Sequence, residues 1–136
     1  MVILGVDFGN RRIGLAKSDS MGMLASGLDT LEWNNDLEKP VSYIADLTKR
    51  LKIERIVVGM PRNMDGSYGE RARATDIFAG RLREAVDVDV VMWDERLTTS
   101  AALRTLRDQG KKTGRDKGAV DRVAACHILQ SYLDSL

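Results

Sequence analysis

Hydrophobic positions follow two periods along this chain, and their order predicts a mixed α/β sheet. A short β-branched run over residues 2–6 ends at Asp7 and is typical of a buried strand. After turn-forming residues, 13–18 and 23–28 are expected to return as the second and third strands of an antiparallel set. Residues 37–51 then repeat their apolar positions at helical spacing, with Pro40 in the first turn.

The rest of the chain alternates strands with helices. Strands are predicted over 55–59 and 88–94, and helices over about 67–85, 98–109 and 119–133. A capping box of Ser67 and Glu70 is expected to open the first of these helices. Helical crossovers make the last two strands parallel, which gives three antiparallel strands followed by two parallel ones. The inward stripe of the last helix is expected to be Val120, Val123, Ala124, Ile128 and Tyr132.

Length and composition fit a single domain over residues 1–136 in the cytoplasm. The chain is 43% hydrophobic and 30% charged, which is ordinary for a globular protein. Its one cysteine, Cys126, cannot form an intrachain disulfide, so a reducing compartment is favoured. The one histidine, His127, is expected to pack within a helix, which disfavours imidazole-based catalysis. No apolar run approaches a membrane span, so no membrane partner is expected.

Acidic side chains lie where the predicted elements begin or end. Asp7 follows the first strand, Asp94 and Glu95 end the last strand, and Asp121 opens the last helix. In an open α/β sheet such ends meet where the strand order changes direction. Carboxylates without nitrogen or sulfur ligands suit Mg²⁺ or Mn²⁺, and two such ions can promote phosphodiester hydrolysis. Neighbours on a strand face opposite sides, so we favour Glu95 as the ligand and keep Asp94 as the alternative.

Each acid also has a purely structural interpretation. Asp7 could end a strand and begin a turn, and Asp121 could be a first-turn charge that interacts with the helix dipole. Glu95 could form an ion pair with Arg96 or Arg12. These interpretations remain open at the level of the residues.

Four sequence blocks resemble the signature blocks of the YqgF/RuvX family. They are GVDFGNRRIGLAKSD at 5–19, VGMPRNMDGS at 58–67, DERLTT at 94–99 and VDRVAA at 120–125. The resemblance covers essentially the whole chain and implies an RNase H-like fold and a cytoplasmic, metal-dependent nuclease. Members of the family are described both as Holliday-junction resolvases and as nucleases that process the 5′ end of the small-subunit ribosomal RNA precursor. The resemblance assigns the catalytic and metal-binding acids to Asp7, Glu95 and Asp121. Arg62 replaces a commoner leucine and has no assigned role.

Nucleic-acid binding must come from a local patch, because the net charge is only +1. Six basic residues against two acidic ones lie between 104 and 117, where a solvated, mobile linker over 111–118 is the competing interpretation. The loop over 63–69 could also offer backbone amides to a phosphate. Few aromatic residues are present, so the expected partner is structured RNA or branched DNA, contacted through its backbone. The candidate residues are Arg104, Arg107, Lys111, Lys112, Arg115 and Lys117, then Arg11, Arg12 and Lys17 beside Asp7, and Arg71 and Arg73 at the start of the middle helix.

Two other functions fit parts of the sequence. Asp7, Gly9 and Gly14 also resemble the phosphate loop of the actin and sugar-kinase superfamily, but 136 residues supply only one of the two domains that clamp ATP. A noncatalytic RNA- or ribosome-binding protein would use the acids only structurally. The choice between DNA and RNA, and between a monomer and a homodimer, stays open.

Replacing four basic residues together tests the proposed basic segment. If each neutralises one phosphate, the quadruple alanine variant is expected to lower the salt slope of nucleic-acid binding by about 3–4 units. Binding isotherms between about 50 and 200 mM salt measure that slope. An unchanged slope would assign the segment to solvent. The four residues are Lys111, Lys112, Arg115 and Lys117.

Overall fold

A computed structural model describes residues 1–63, 65–97 and 117–136. The strands are β1 Ile3–Phe8, β2 Arg12–Ser18, β3 Ala25–Glu32, β4 Arg55–Met60 and β5 Asp89–Asp94. The helices are α1 Glu38–Arg50, α2 Glu70–Ala85 and α3 Lys117–Asp134, with a 3₁₀ turn over Glu95–Leu97. The predicted helix over 98–109 and most of the linker lie outside the described residues. Within them, no helix has the length and apolarity needed to cross a bilayer.

The five strands form one mixed sheet in the order β3-β2-β1-β4-β5. β1 pairs with β2, and β2 with β3, in antiparallel fashion, whereas β4 lies parallel to both β1 and β5. This confirms the predicted mixed sheet. β3 begins later than expected, because the Asp19 side chain accepts hydrogen bonds from the amides of Met23 and Leu24 and holds both residues in the preceding turn.

The two faces of the sheet are covered by different helices. Leu4, Val6 and Phe8 of β1 join the apolar cluster beneath α1 and α2. Ile3 points to the opposite face and joins the cluster formed with α3. Successive strand residues point to opposite faces, so Gly5 and Asp7 share the α3 face with Ile3. β1 is therefore buried on both sides, which explains its nearly continuous apolar sequence.

Helix α3 approaches the sheet closely over strand positions that carry no side chain. A Cβ placed on Gly5 would lie 2.7 Å from the Cβ of Leu129. A Cβ placed on Gly14 would overlap the carbonyl oxygen of Asp121. Glycine in a strand commonly marks such a close approach by another backbone.

The buried surface of α3 is wider than one stripe. Ala124, Ile128 and Tyr132 are buried, as the spacing predicts, but Ala125 and Leu129 are completely buried as well. Val123 was expected to face inward and is 44% exposed, because the helix is rotated toward Ala125 and Leu129. The helix also begins at Lys117, two residues before its predicted start at 119.

The start of α2 differs from the expected capping box. Gly69 occupies the N-cap position, and no side chain caps the helix. The Ser67 hydroxyl instead donates a 2.6 Å hydrogen bond to Asp65 within the preceding loop. The Ser67 side chain is therefore engaged in a short Asx-type turn and does not form the capping box.

Alanine at Gly14 tests whether the close approach of α3 supports the fold. The added methyl group would push against backbone atoms of Asp121, so Gly14→Ala is expected to lower the free energy of unfolding by about 2–3 kcal/mol. Gly80→Ala is the matched control, because a Cβ there has no neighbour within 4 Å and alanine favours the helix. Urea unfolding of both variants measures the difference. Equal stability of the two variants would contradict the interpretation.

Candidate active site

Asp7 lies inside β1, one residue before its end, and is completely buried. The strand continues past Asp7 because Phe8 is held in the core, with its ring stacked 4.5 Å from that of Phe78. The antiparallel partner of Asp7 on β2 is Gly14. Paired residues share a face of the sheet, so Asp7 and Gly14 both lie on the α3 side.

Asp121 reaches the same place from the first part of α3. Its carbonyl oxygen lies against Gly14, the residue that pairs with Asp7, and its side chain is completely buried. Sequence positions 7 and 121 are thus brought to the same part of one face.

Glu95 reaches this face from the other side of β1. It begins the 3₁₀ turn after β5, is 2% exposed, and its Oε1 would lie 2.6 Å from a Cβ on Gly59. Gly59 follows Val58, which pairs with Val6, just as Asp7 follows Val6. Gly14, Asp7 and Gly59 therefore lie side by side across β2, β1 and β4. The three predicted acids lie on or directly over these three strands.

Asp94 has a different environment from Glu95. It ends β5 and accepts from Arg96 Nη2 at 2.8 Å and from Arg62 Nη1 at 3.2 Å. The hydrogen bond from Arg96 is the main reason that the pKa of Asp94 lies below its ordinary value. The strand ends between the two acids, and strand alternation directs Asp94 away from α3. Asp94 therefore joins two loops, whereas Glu95 faces Gly59.

Arg12 contacts one of the three acids. Its Nε donates a 2.7 Å hydrogen bond to Asp121 Oδ2, and its side chain is 20% exposed. The β1–β2 turn that precedes Arg12 is held by Trp33, whose indole NH donates to the Gly9 carbonyl and whose amide donates to the Arg11 carbonyl. Sequence reasoning missed the role of Trp33, because nothing local to its position indicates the turn that it contacts.

Lys17 does not lie beside Asp7 as expected. It pairs with Leu4, three residues earlier along β1. Leu4 belongs to the cluster beneath α1 and α2, so Lys17 also points to the face opposite the acids. The expectation of Lys17 as a phosphate contact near Asp7 is therefore corrected.

The other basic candidates differ in accessibility. Arg11 and Arg73 are exposed. Arg71 is half-buried, and its Nη2 is shielded from solvent. Lys117 begins α3, and its side chain is not described. Five of the candidates lie outside the described residues, namely Arg104, Arg107, Lys111, Lys112 and Arg115.

The described loop residues 61–63 and 65–69 satisfy several of one another's backbone groups. The Asn63 amide donates to the Ser67 carbonyl, and the Gly66 amide donates to the Asn63 carbonyl. Arg62 donates twice to the Gly66 carbonyl and lies 4.7 Å above the Tyr68 ring. These contacts give Arg62 a structural role and favour an ordinary turn over the expected phosphate-binding loop.

The donor set of the three acids suits a hard divalent cation. Asp7 Oδ2 and Glu95 Oε1 are both shielded from solvent. His127, which was expected to pack, is exposed on α3. Within the described ranges, no three His, Cys, Asp or Glu side chains are grouped closely enough to form a ready metal cluster. One or two of these carboxylates would still suffice for a divalent cation that keeps several of its waters.

Comparison with known proteins identifies the family. The family model described as "RuvX: Holliday junction resolvase" matches residues 1–135. The chain belongs to the RuvX family. Two relatives are each 44% identical over 136 residues and are named "Putative pre-16S rRNA nuclease". The relative from Acetivibrio thermocellus aligns over 99% of this chain and 96% of its own length, and the one from Bacillus cereus (strain G9842) over 99% of each.

Solved structures support the fold of this RuvX protein. RuvC from T. thermophilus, in complex with a Holliday junction substrate, superposes with a TM-score of 0.65 at 17% identity, covering 99% of this chain and 96% of RuvC. The fowlpox virus Holliday junction resolvase superposes with a TM-score of 0.57 at 18% identity, covering 100% of each chain. These likenesses confirm the RNase H-like fold. Family and relatives together make the protein a nuclease, a hydrolase of phosphodiester bonds.

The Asp94→Asn variant tests the ion pairs of Asp94 with Arg62 and Arg96. Because its pKa is lowered in the folded state, the Asp94 carboxylate stabilises the protein above its ordinary pKa of 3.8 and loses that effect as pH falls through the lowered value. Asp94→Asn is expected to reduce the free energy of unfolding by about 1–2 kcal/mol at pH 7. The difference in unfolding free energy between wild type and Asp94→Asn should narrow as pH falls from about 4 towards 2.

Denaturant unfolding at a series of pH values measures this dependence. Asp89→Asn, at the exposed start of the same strand, controls for the loss of one negative charge. A stability difference that is constant with pH would contradict a role for the charged form of Asp94.

Proposed function

We propose that this RuvX protein cleaves structured nucleic acid at a site formed by Asp7, Glu95 and Asp121, with Mg²⁺ or Mn²⁺ as its cofactor. The observation that carries the proposal is the arrangement of these three buried acids over adjacent strands β2, β1 and β4. They come from the first strand, the turn after the last strand and the last helix of the chain.

A purely structural role is a poor explanation for this arrangement. Asp94 is partly exposed and joins two loops through Arg62 and Arg96. Asp7, Glu95 and Asp121 are at most 2% exposed and lie on one face of the sheet, with Arg12 paired to Asp121. Carboxylates buried in one region destabilise a fold where they are ionised together, and such arrangements are characteristic of functional sites.

The protein's own residues have distinct parts in the proposed reaction. Asp7, Glu95 and Asp121 would hold the cation, which when bound supplies an activated water and stabilises the leaving oxygen of the phosphodiester. Helix α3 covers this face with Ile128 and Leu129, both completely buried, and so excludes bulk water from the sheet side of the site.

Two exposed arginines offer contacts for the phosphate backbone. Arg11 lies in the turn directly after β1, and Arg73 lies in the first turns of α2. Backbone contacts of this kind fix a nucleic acid in place without reading its bases. They are consistent with a substrate that is recognised by its structure.

The small-subunit ribosomal RNA precursor, cut near its 5′ end, is the substrate that we propose. Its support is the name of the relatives at 44% identity. The description of the family favours a second candidate, the four-way DNA junction. A junction has two-fold character and would require a homodimer, whereas an RNA processor could act as a monomer. Either activity would take place in the cytoplasm, which the single free cysteine also favours.

Asparagine at position 7 tests the site directly. Asp7→Asn keeps the side-chain volume but removes the charge that would hold the cation, so cleavage is expected to fall at least about 100-fold. The melting temperature should stay the same or rise, because repulsion between buried acids is reduced. Most of the nucleic-acid affinity should remain.

A cleavage panel separates the candidate substrates. Precursor ribosomal RNA and a mobile four-way junction are each incubated with Mg²⁺ or Mn²⁺ and with wild type, Asp7→Asn or the surface control Asp89→Asn. Wild-type cleavage by rigorously purified Asp7→Asn would exclude Asp7 as a ligand. A noncatalytic binding protein would cleave neither substrate and would bind no Mn²⁺ through its carboxylates.

A further inference from the structure

The Arg12 side chain contacts Asp121, an acid that the proposed function assigns as a metal ligand. Its Nε is 2.7 Å from Asp121 Oδ2, and the carboxylate is completely buried. Guanidinium groups stay charged at every relevant pH. The folded protein therefore places a permanent cation at one of the three proposed ligands.

The two partners differ in their exposure to solvent. The backbone of Asp121 lies against Gly14, so its carboxylate is positioned by the packing of α3 on the sheet. Arg12 is the first residue of β2, and its long side chain remains 20% exposed, whereas that of Asp121 is completely buried. Arg12 is therefore the partner that has a route to solvent.

A guanidinium and a divalent cation compete for the same carboxylate. The carboxylate has further lone pairs on both oxygens, so the competition is electrostatic: a metal ion on the same carboxylate would lie near the guanidinium, and two neighbouring cations repel each other at a buried site. Removing the Arg12 charge without replacement would in turn cost the buried carboxylate an ion pair. Both effects favour replacement of one cation by the other.

We propose that Arg12 is the resident counter-ion of Asp121 and that a divalent cation displaces it when it binds. The inference rests on the proposed function, since it concerns the same site. Arg12 thereby stabilises the metal-free fold and raises the metal concentration that the site requires. Arg12 therefore competes with the metal ion for Asp121 and does not position Asp121 to bind the metal.

Metal affinity distinguishes competition from positioning. Isothermal titration with Mn²⁺ compares wild type with Arg12→Gln and with Lys49→Gln, which removes one positive charge from the exposed last turn of α1. Competition predicts that Arg12→Gln binds Mn²⁺ about three- to tenfold more tightly, while Lys49→Gln changes affinity less than about twofold. Equal or weaker binding by Arg12→Gln would overturn the proposal and indicate that Arg12 positions Asp121.

Thermal unfolding supplies a second readout that does not depend on activity. Without metal, Arg12→Gln is expected to melt at a lower temperature than wild type, because Asp121 loses its counter-charge. Saturating Mg²⁺ should narrow that difference, since it stabilises the variant more than it stabilises wild type. A difference that Mg²⁺ leaves unchanged would contradict displacement.

A measurement on the wild-type protein tests the proposal even if the Arg12→Gln variant does not fold. In ¹⁵N spectra of arginine side chains, the Arg12 Nε–H is expected to be protected from exchange without metal and to lose protection with Mg²⁺. Arg12→Lys assigns the signal. Persistent protection at saturating Mg²⁺ would refute the proposal.

Titration of Asp7→Asn with Mn²⁺ separates failure of the metal site from failure of the role of Arg12. If wild type shows no Mn²⁺ binding that is lost in Asp7→Asn, the proposed metal site fails and the role of Arg12 fails with it. If wild type binds Mn²⁺ through Asp7 and Arg12→Gln gains no affinity, only the role of Arg12 fails.

Discussion

The close approach of helix α3 to the sheet is the constraint on which the candidate site depends. It is possible because the strand positions beneath the helix are glycines, and a side chain at Gly14 would collide with the backbone of Asp121. On the other side of Asp7, the space above Gly59 is filled by Glu95 and by Ile128. The glycines therefore have two effects: they let α3 pack closely on the sheet, and they leave room there for the acidic side chains.

This packing also creates an electrostatic requirement. Moving Asp121 into the interface removes it from water, and a buried carboxylate needs a compensating charge or hydrogen bonds. Arg12 supplies that charge from the start of β2, and Trp33, which follows β3, holds the preceding β1–β2 turn through the Gly9 carbonyl. Three segments far apart in the sequence therefore determine the environment of one carboxylate.

The sheet was largely predictable from the sequence, because strand periodicity and helical crossovers are local patterns. The order of three antiparallel and two parallel strands follows from them, and so does the position of α1 to within one residue at each end. The rotation of α3 was not predictable in the same way. Apolar residues nearly surround its buried part, so periodicity cannot select Ala125 and Leu129 over Val123.

The candidate site was also predictable only in part. The acids could be chosen because they lie near the predicted element ends and within recognisable blocks, although the structure places Asp7 inside β1 and Asp121 beyond the first turn of α3. Their partners could not, because the contact between Arg12 and Asp121 spans 109 positions and that between Trp33 and Gly9 spans 24. The side on which Lys17 lies depended on the exact register of β2 against β1, which a strand prediction does not specify.

The charge distribution bears on the order of binding at the proposed site. The protein carries a net charge of only +1, and three acids are buried where α3 meets the sheet. A phosphate therefore gains little general attraction from the protein, and ionised acids at the site would repel it. A divalent cation held by these acids would offset that repulsion. In the proposed function, we therefore expect metal binding to accompany or precede the productive binding of a phosphodiester.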